Sequence, residues 1–234
     1  MQRWVGRAED ALPLLPSASF DLIVTSPPAY PSMRQEAWAL GTEASASVYV
    51  RHFGRVLWSL RRVLRVSGVL CLVIEEQAGN PVLRPLAAVF KRQHWLLLST
   101  FHWSHGDGAA SWVVFLSKAP AGRLNRDAPA WRMQEWAFPR PPADAAYGFY
   151  EWPQGLVDAI VDVALPKGGS VLDPFGGKAV ALSRLPARYD VVVMDVMQID
   201  DDTGTSASEA RVAALENLGR GGSESAHADV AGGA

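Results

Sequence analysis

The chain has one cysteine, Cys71, in 234 residues. This excludes an internal disulfide, and its setting in the apolar run 69–74 marks it as a small packed hydrophobe rather than a nucleophile. There is no run of about 18 apolar residues, so no membrane-spanning helix is expected. The opening Met1-Gln2-Arg3-Trp4 lacks the shape of a signal peptide, and a cytoplasmic protein is expected. His52, His94, His102 and His105 fall at no metal-ligating spacing, and no metal is expected. Neither sign of charge dominates: 22 Lys and Arg face 24 Asp and Glu, for a net charge of −2. That argues against a chain that binds nucleic acid through bulk charge, and strong non-specific DNA affinity is not expected. Six of the acids, with only two arginines, lie from residue 201 onward. The body is therefore near neutral, with 20 basic and 18 acidic side chains, and has room for a local basic cleft.

The hydrophobic fraction of 49% and the length suit one domain with a proper core. Residues 4–6, 20–24, 69–74, 95–103, 112–116, 171–173 and 191–195 read as strands. Residues 9–15, 47–64, 81–92, 153–165 and 178–185 read as helices. The gap 104–111 between two strands reads as a long hairpin loop. Alternating strands and helices predict an α/β fold, a mostly parallel sheet with an antiparallel hairpin and helices on both faces. Residues 1–200 form the expected domain, with 120–150 an irregular loop region. A terminal helix is expected within 201–218 (from residue 209), and a disordered tail over 219–234.

Two stretches carry chemistry. Thr25-Ser26-Pro27-Pro28-Ala29-Tyr30 follows the buried run 20–24. Each proline lacks an N–H and restricts the residue before it, so this rim is stiff and its carbonyls can face a ligand. A hydroxyl, free carbonyls and an aromatic ring suit a flat ring bearing an exocyclic amino group; the competing reading is a turn after a strand. Val171-Leu172-Asp173-Pro174-Phe175-Gly176-Gly177-Lys178 is a strand, a glycine turn and a helix start. The next strand ends in Asp195, 22 residues after Asp173. A carboxylate there can bond ribose hydroxyls, as in dinucleotide folds. Helix capping or a loop salt bridge would also explain the two acids, and core packing would explain Phe175.

Taken together, the two motifs resemble those of the amino-methyltransferases that act on an exocyclic base nitrogen. Ser26-Pro27-Pro28 looks like their catalytic motif, and Asp173-Pro174-Phe175-Gly176-Gly177 like their cofactor loop. The catalytic motif comes first, as in the permuted β group. Residues 61–68 and 152–157 are similar to that group as well, and the likeness spans roughly residues 4–196. Ala29, Arg7 and Ala179 differ from the family pattern.

The resemblance implies a Rossmann-like methyltransferase sheet, S-adenosylmethionine as cofactor, and DNA with a flipped target base as substrate, in a bacterial or phage restriction-modification setting. It assigns Ser26, Pro27, Pro28 and Tyr30 to catalysis, with Tyr30 as the wall for the flipped ring. It assigns Thr25, Asp173, Pro174, Phe175, Gly176, Gly177 and Asp195 to the cofactor. Ser at the head of the motif leans towards N4 of cytosine, with N6 of adenine as the alternative. A catalytically degenerate binding protein, or methylation of RNA or a protein amide, are the other readings. Arg34, with Trp38, and the loop residues Arg123, Arg126, Arg132 and Arg140, interleaved with Trp131 and Trp136, are the DNA-contact candidates. An ordinary solvated loop is the competing reading, and a homodimer or a target-recognition partner would extend the small surface.

Overall fold

The computed structural model describes residues 1–31, 40–75, 82–133, 135–143 and 150–195. Its strands are β1 (Gln2–Val5), β2 (Phe20–Thr25), β3 (Leu64–Glu75), β4 (Leu96–Ser104), β5 (Ala110–Ser117), β6 (Trp136–Ala137), β7 (Gly169–Asp173) and β8 (Tyr189–Asp195). Its helices are α1 (Ala8–Ala11), α2 (Ala46–Val63), α3 (Leu83–Arg92), α4 (Gln154–Ala164) and α5 (Val180–Ser183). The strands form one sheet in the order β1-β8-β7-β2-β3-β5-β4-β6. Only β5 runs against the rest: it pairs antiparallel with β3 and β4, while the other neighbours are parallel. This is the expected mostly parallel sheet with one hairpin.

Strand residues alternate between two apolar layers. Ile23, Leu70, Leu72, Leu172, Val192 and Met194 pack beneath α1, α2 and α3. Leu22, Val24, Cys71, Val171, Val191 and Val193 pack beneath α4 and α5. Helix α2 forms because its apolar residues recur at helical spacing, and Ser45 caps it by accepting from the Val48 N–H. It buries Phe53, Leu57 and Leu60 completely, each contributing about 1.5–3 kcal/mol of transfer free energy. Cys71 is wholly buried and its thiol is pushed well up by burial, so it packs as a hydrophobe.

The chain departs from the sequence expectation in three places. Strand β3 begins at Leu64, directly after α2, so Ser67-Gly68 lie inside a strand rather than ending a helix. Gly68 is there because a Cβ would lie 2.7 Å from Leu64 Cδ1 and 3.0 Å from the Asp21 carbonyl, where the β2–β3 register shifts. The described part of 120–150 holds a 3-10 turn (Pro129–Arg132) and the short edge strand β6. Helix α5 is a single turn, shorter than the expected 178–185. The expected terminal helix and tail lie outside the described residues.

Candidate functional site

From β7 the chain passes through α5 to β8 on one side, and from β2 it passes through α2 to β3 on the other. Strands β2 and β7 are parallel neighbours, with Leu22 beside Val171 and Ile23 beside Leu172. Their C-terminal ends therefore flank a topological switch point, where open α/β sheets bind ligands. Both sequence motifs leave the sheet there. Thr25 Oγ1 donates to Asp173 Oδ1 at 2.7 Å, joining the strand end before Ser26 to the strand end before Pro174. Both residues are buried, at 0% and 3% exposure.

The loop after Asp173 is braced from several sides. The Phe175 N–H donates to Asp173 Oδ1 at 3.1 Å, and the Gly176 N–H to the Met194 carbonyl at 3.0 Å. A Cβ on Gly176 would lie 2.3 Å from Val193 Cγ1, so only glycine lets the loop rest on β8. The Gly177 N–H donates to Asp195 Oδ2 at 2.9 Å. The Arg3 guanidinium, on β1, donates to the carbonyls of Gly177 and Lys178. Ala179 sits at φ 52° and ψ 35°, the left-handed conformation that glycine adopts freely. The loop thus follows a glycine path although residue 179 is alanine. Phe175 is half-buried and packs against the layer beneath α2.

Asp173 is the electrostatic centre of the crevice. Burial raises its carboxyl to about 7, and the nearby Asp195 and Glu151 push the same way. The Thr25 hydroxyl and the Phe175 N–H pull it back only in part. Asp195 ends β8 and is itself buried. Two buried carboxyl groups at adjoining strand ends favour a cationic ligand. That donor set fits S-adenosylmethionine, which carries a sulfonium and an ammonium group.

On the other rim, Ser26, Pro28, Ala29 and Tyr30 are half-buried and Pro27 is buried. The Tyr49 hydroxyl, from α2, donates to the Pro28 carbonyl at 3.0 Å. The Tyr30 ring leans on Tyr49 with centroids 5.5 Å apart, and Tyr49 stacks on Phe53 at 6.1 Å. Burial drives the Tyr49 phenol upward, with Glu43 adding to it, so it stays a donor. Tyr49 and Arg3 escaped the sequence reading. Tyr49 lies on the buried face of a helix, and Arg3 on a strand with no motif of its own.

The arginine candidates divide. Arg140 is held internally, 3.2 Å from Glu75 Oε2 and 3.1 Å from Asp107 Oδ2, with its guanidinium 3.7 Å over the Tyr150 ring. It ties the β4–β5 loop to the end of β3. Arg123 and Arg126 lie at the opposite end of the sheet from the two motifs. There Asn125 bonds the C-terminal turn of α4, and the arginines line a cavity of about 500 Å³ with Leu98 and Trp131. Arg132 is exposed on the 3-10 turn, and Arg34 and Trp38 lie outside the described residues. Trp136 is fully buried and stacks on Phe101 at 4.6 Å, so it packs rather than projects.

No protein-family model matches the sequence, and no curated protein matches it. Solved structures do match in fold. The PvuII DNA methyltransferase, described as cytosine-N4-specific, aligns with a TM-score of 0.66 at 15% identity, covering 94% of this chain and 92% of that one. TTHA0409 from Thermus thermophilus, provisionally assigned as a DNA modification methylase, aligns at 0.62 and 20% identity over 94% of both chains. M1.HpyAVI in its complex with SAM aligns at 0.58 and 13% identity, over 84% of this chain and 93% of that one. Over most of its length, the chain has the fold of the DNA amino-methyltransferases. Among the described residues no helix is long and apolar enough to cross a membrane.

Proposed function

We propose that this chain transfers a methyl group from S-adenosylmethionine to the exocyclic amino group of a DNA base, N4 of cytosine in preference to N6 of adenine. The observation that carries the proposal is the junction at the switch point. The Thr25–Asp173 hydrogen bond of 2.7 Å sets the Ser-Pro-Pro rim and the acidic glycine loop side by side over one crevice. Neighbours of the same fold include a cytosine-N4-specific enzyme and a protein in complex with SAM, which supports both halves of the reading.

When bound, S-adenosylmethionine supplies an electrophilic methyl group on a cationic sulfur. Asp173, with Asp195 and Glu151 behind it, gives the pocket the negative potential that attracts such a cation. On the other side, the amino nitrogen of the base is a poor nucleophile, because its lone pair is delocalised into the ring. Ser26 Oγ and the Pro27 carbonyl are the acceptors assigned to its two N–H groups, favouring a pyramidal nitrogen with its lone pair aimed across the crevice. Acceptors fixed in advance stabilise the positive charge that develops on that nitrogen. Tyr49 braces the loop that carries them by donating to the Pro28 carbonyl, and Tyr30 offers a ring face to a base flipped from the duplex.

The test is nucleoside mass spectrometry of unmethylated DNA incubated with the protein and S-adenosylmethionine. N4-methylcytosine is the expected product, and N6-methyladenine would keep the reaction and change the base. Absence of any methylated nucleoside, with cofactor binding intact by calorimetry, would overturn the assignment to DNA.

A further inference from the structure

The two helices that cover most of one face of the sheet contain no acidic residue. Helix α2 holds Arg51, His52, Arg55, Arg61 and Arg62, and α3 holds Arg84, Lys91 and Arg92. Arg61 and Arg62 are committed internally, Arg61 to the Lys118 carbonyl and Arg62 to the carbonyls of Leu12 and Leu15. Arg51, Arg55, Arg84, Lys91 and Arg92 are exposed and, among the described residues, take no ion pair or hydrogen bond. Arg51, Arg55 and Trp58 fall at positions i, i+4 and i+7 of one stripe, and Trp58 is 61% exposed. The two helices are in contact, since Gln93 Nε2 donates to the Gly54 carbonyl at 2.6 Å. Their cations thus belong to one surface. Among the described residues, Glu9 and Asp10 of α1 pair with Arg7, and Glu43 pairs with His52 at 3.2 Å.

We propose that this α2–α3 face binds the phosphate backbone of duplex nucleic acid. A chain with a net charge of −2 has gathered five uncommitted cations on two adjoining helices, the footprint expected of a phosphate-contacting surface. A protein partner would need an apolar centre and a membrane several apolar anchors, whereas this surface offers the single exposed Trp58. Helix α2 follows β2, whose C-terminal end flanks the crevice, and α3 follows β3, the next strand out, so the surface lies on the β2 flank of the crevice. It would supply sequence-independent affinity and leave the crevice to select the base. The proposal goes beyond methyl transfer and rests on charge and exposure alone.

The test is a salt titration of the full chain binding a fluorescein-labelled DNA duplex, without cofactor. About five phosphate contacts give a log–log slope between roughly −4 and −5. Arg51→Gln with Arg55→Gln should make the slope shallower by about 2 and weaken binding at least tenfold at about 50 mM salt. Arg123→Gln with Arg126→Gln removes the same charge at the far end of the sheet and should change neither. If the first pair disturbs folding by circular dichroism, Lys91→Gln with Arg92→Gln makes the same comparison on α3. Equal behaviour of the two sets, or no duplex binding by the wild-type chain, would overturn the proposal. Methyl transfer is not read out, so failure here and failure of the crevice reading are distinguishable.

Discussion

Replacing Asp173 by Asn is expected to stabilise the protein while impairing the crevice. The folded-state carboxyl titrates near 7 against an ordinary value of 3.8. Between those values the native state holds a proton that the unfolded chain has released, so stability falls as pH rises from about 4 to about 7 and then levels. At 1.36 kcal/mol per pKa unit, the buried charge costs on the order of 4 kcal/mol above pH 7. Asn keeps an oxygen able to accept from the Thr25 hydroxyl and the Phe175 N–H, both of which bond Oδ1 in the wild type. Its amide also places N–H donors beside two carboxylates.

Recovering half of that cost, about 2 kcal/mol, corresponds to a Tm rise of roughly 4–8 °C for a domain of this size. Thermal melts of wild type and Asp173→Asn between pH 5 and pH 8.5 provide the assay. The gain should be largest at pH 8 and shrink steadily towards pH 5, because the wild-type cost accrues between about pH 4 and pH 7. A variant that is less stable at pH 8, or a wild-type Tm flat across the range, would refute the reasoning. Calorimetry of the same pair should show weaker S-adenosylmethionine binding by the variant at pH 8. In the wild type, affinity should increase as pH rises to about 7, because a cation favours the ionised carboxylate and its binding there releases a proton.

Ser26→Ala should cut turnover at least tenfold in single-turnover methyl transfer while cofactor affinity stays near wild type; unchanged turnover would remove Ser26 from the reaction. Tyr49→Phe removes the donor to the Pro28 carbonyl and should cost about 1 kcal/mol in urea unfolding, with turnover lowered more than cofactor affinity. Ala179→Gly relieves about 1–2 kcal/mol of left-handed strain. It also loses a buried methyl worth about 0.8 kcal/mol and adds about 0.4–1 kcal/mol of unfolded-state entropy. Its urea midpoint should therefore stay close to wild type, and a large loss would show that the methyl packs more tightly than its position suggests.

Much of the fold was legible because the central strands are apolar runs and each long helix keeps its period. The Thr25–Tyr30 and Asp173–Gly177 stretches stood out because proline pairs and adjacent glycines at strand ends are poor packing solutions. The sequence pattern was silent where a side chain acts through a distant partner. Arg3 grips the loop at Gly177 and Lys178 across more than 170 positions of sequence, and nothing local marks it. Tyr49 falls on the buried face of α2, where an aromatic reads as core until its hydroxyl is seen on Pro28. Arg140, grouped with the exposed arginines of its loop, is committed to Glu75 and Asp107. The basic α2–α3 face was hidden by counting charge along the whole chain, where the acids elsewhere in the body and those from residue 201 onward offset it.

Several energetic costs meet at the crevice end of the sheet. Asp173 is buried with like-charged neighbours, Ala179 is held left-handed, and Gly176 is pressed against Val193. Elsewhere the sheet is backed by complete apolar layers on both faces. Ala18 and His94 are left-handed too, but at the crevice end the strain stands beside a buried carboxyl with like-charged neighbours, a combination that marks a site maintained for binding rather than for folding. The direction of the Asp173 shift fits that account, since a carboxyl costly in the empty protein is one that a cationic ligand relieves. Part of the affinity for the cofactor is then release of a cost already present in the free chain, so substitutions that stabilise this end should weaken cofactor binding.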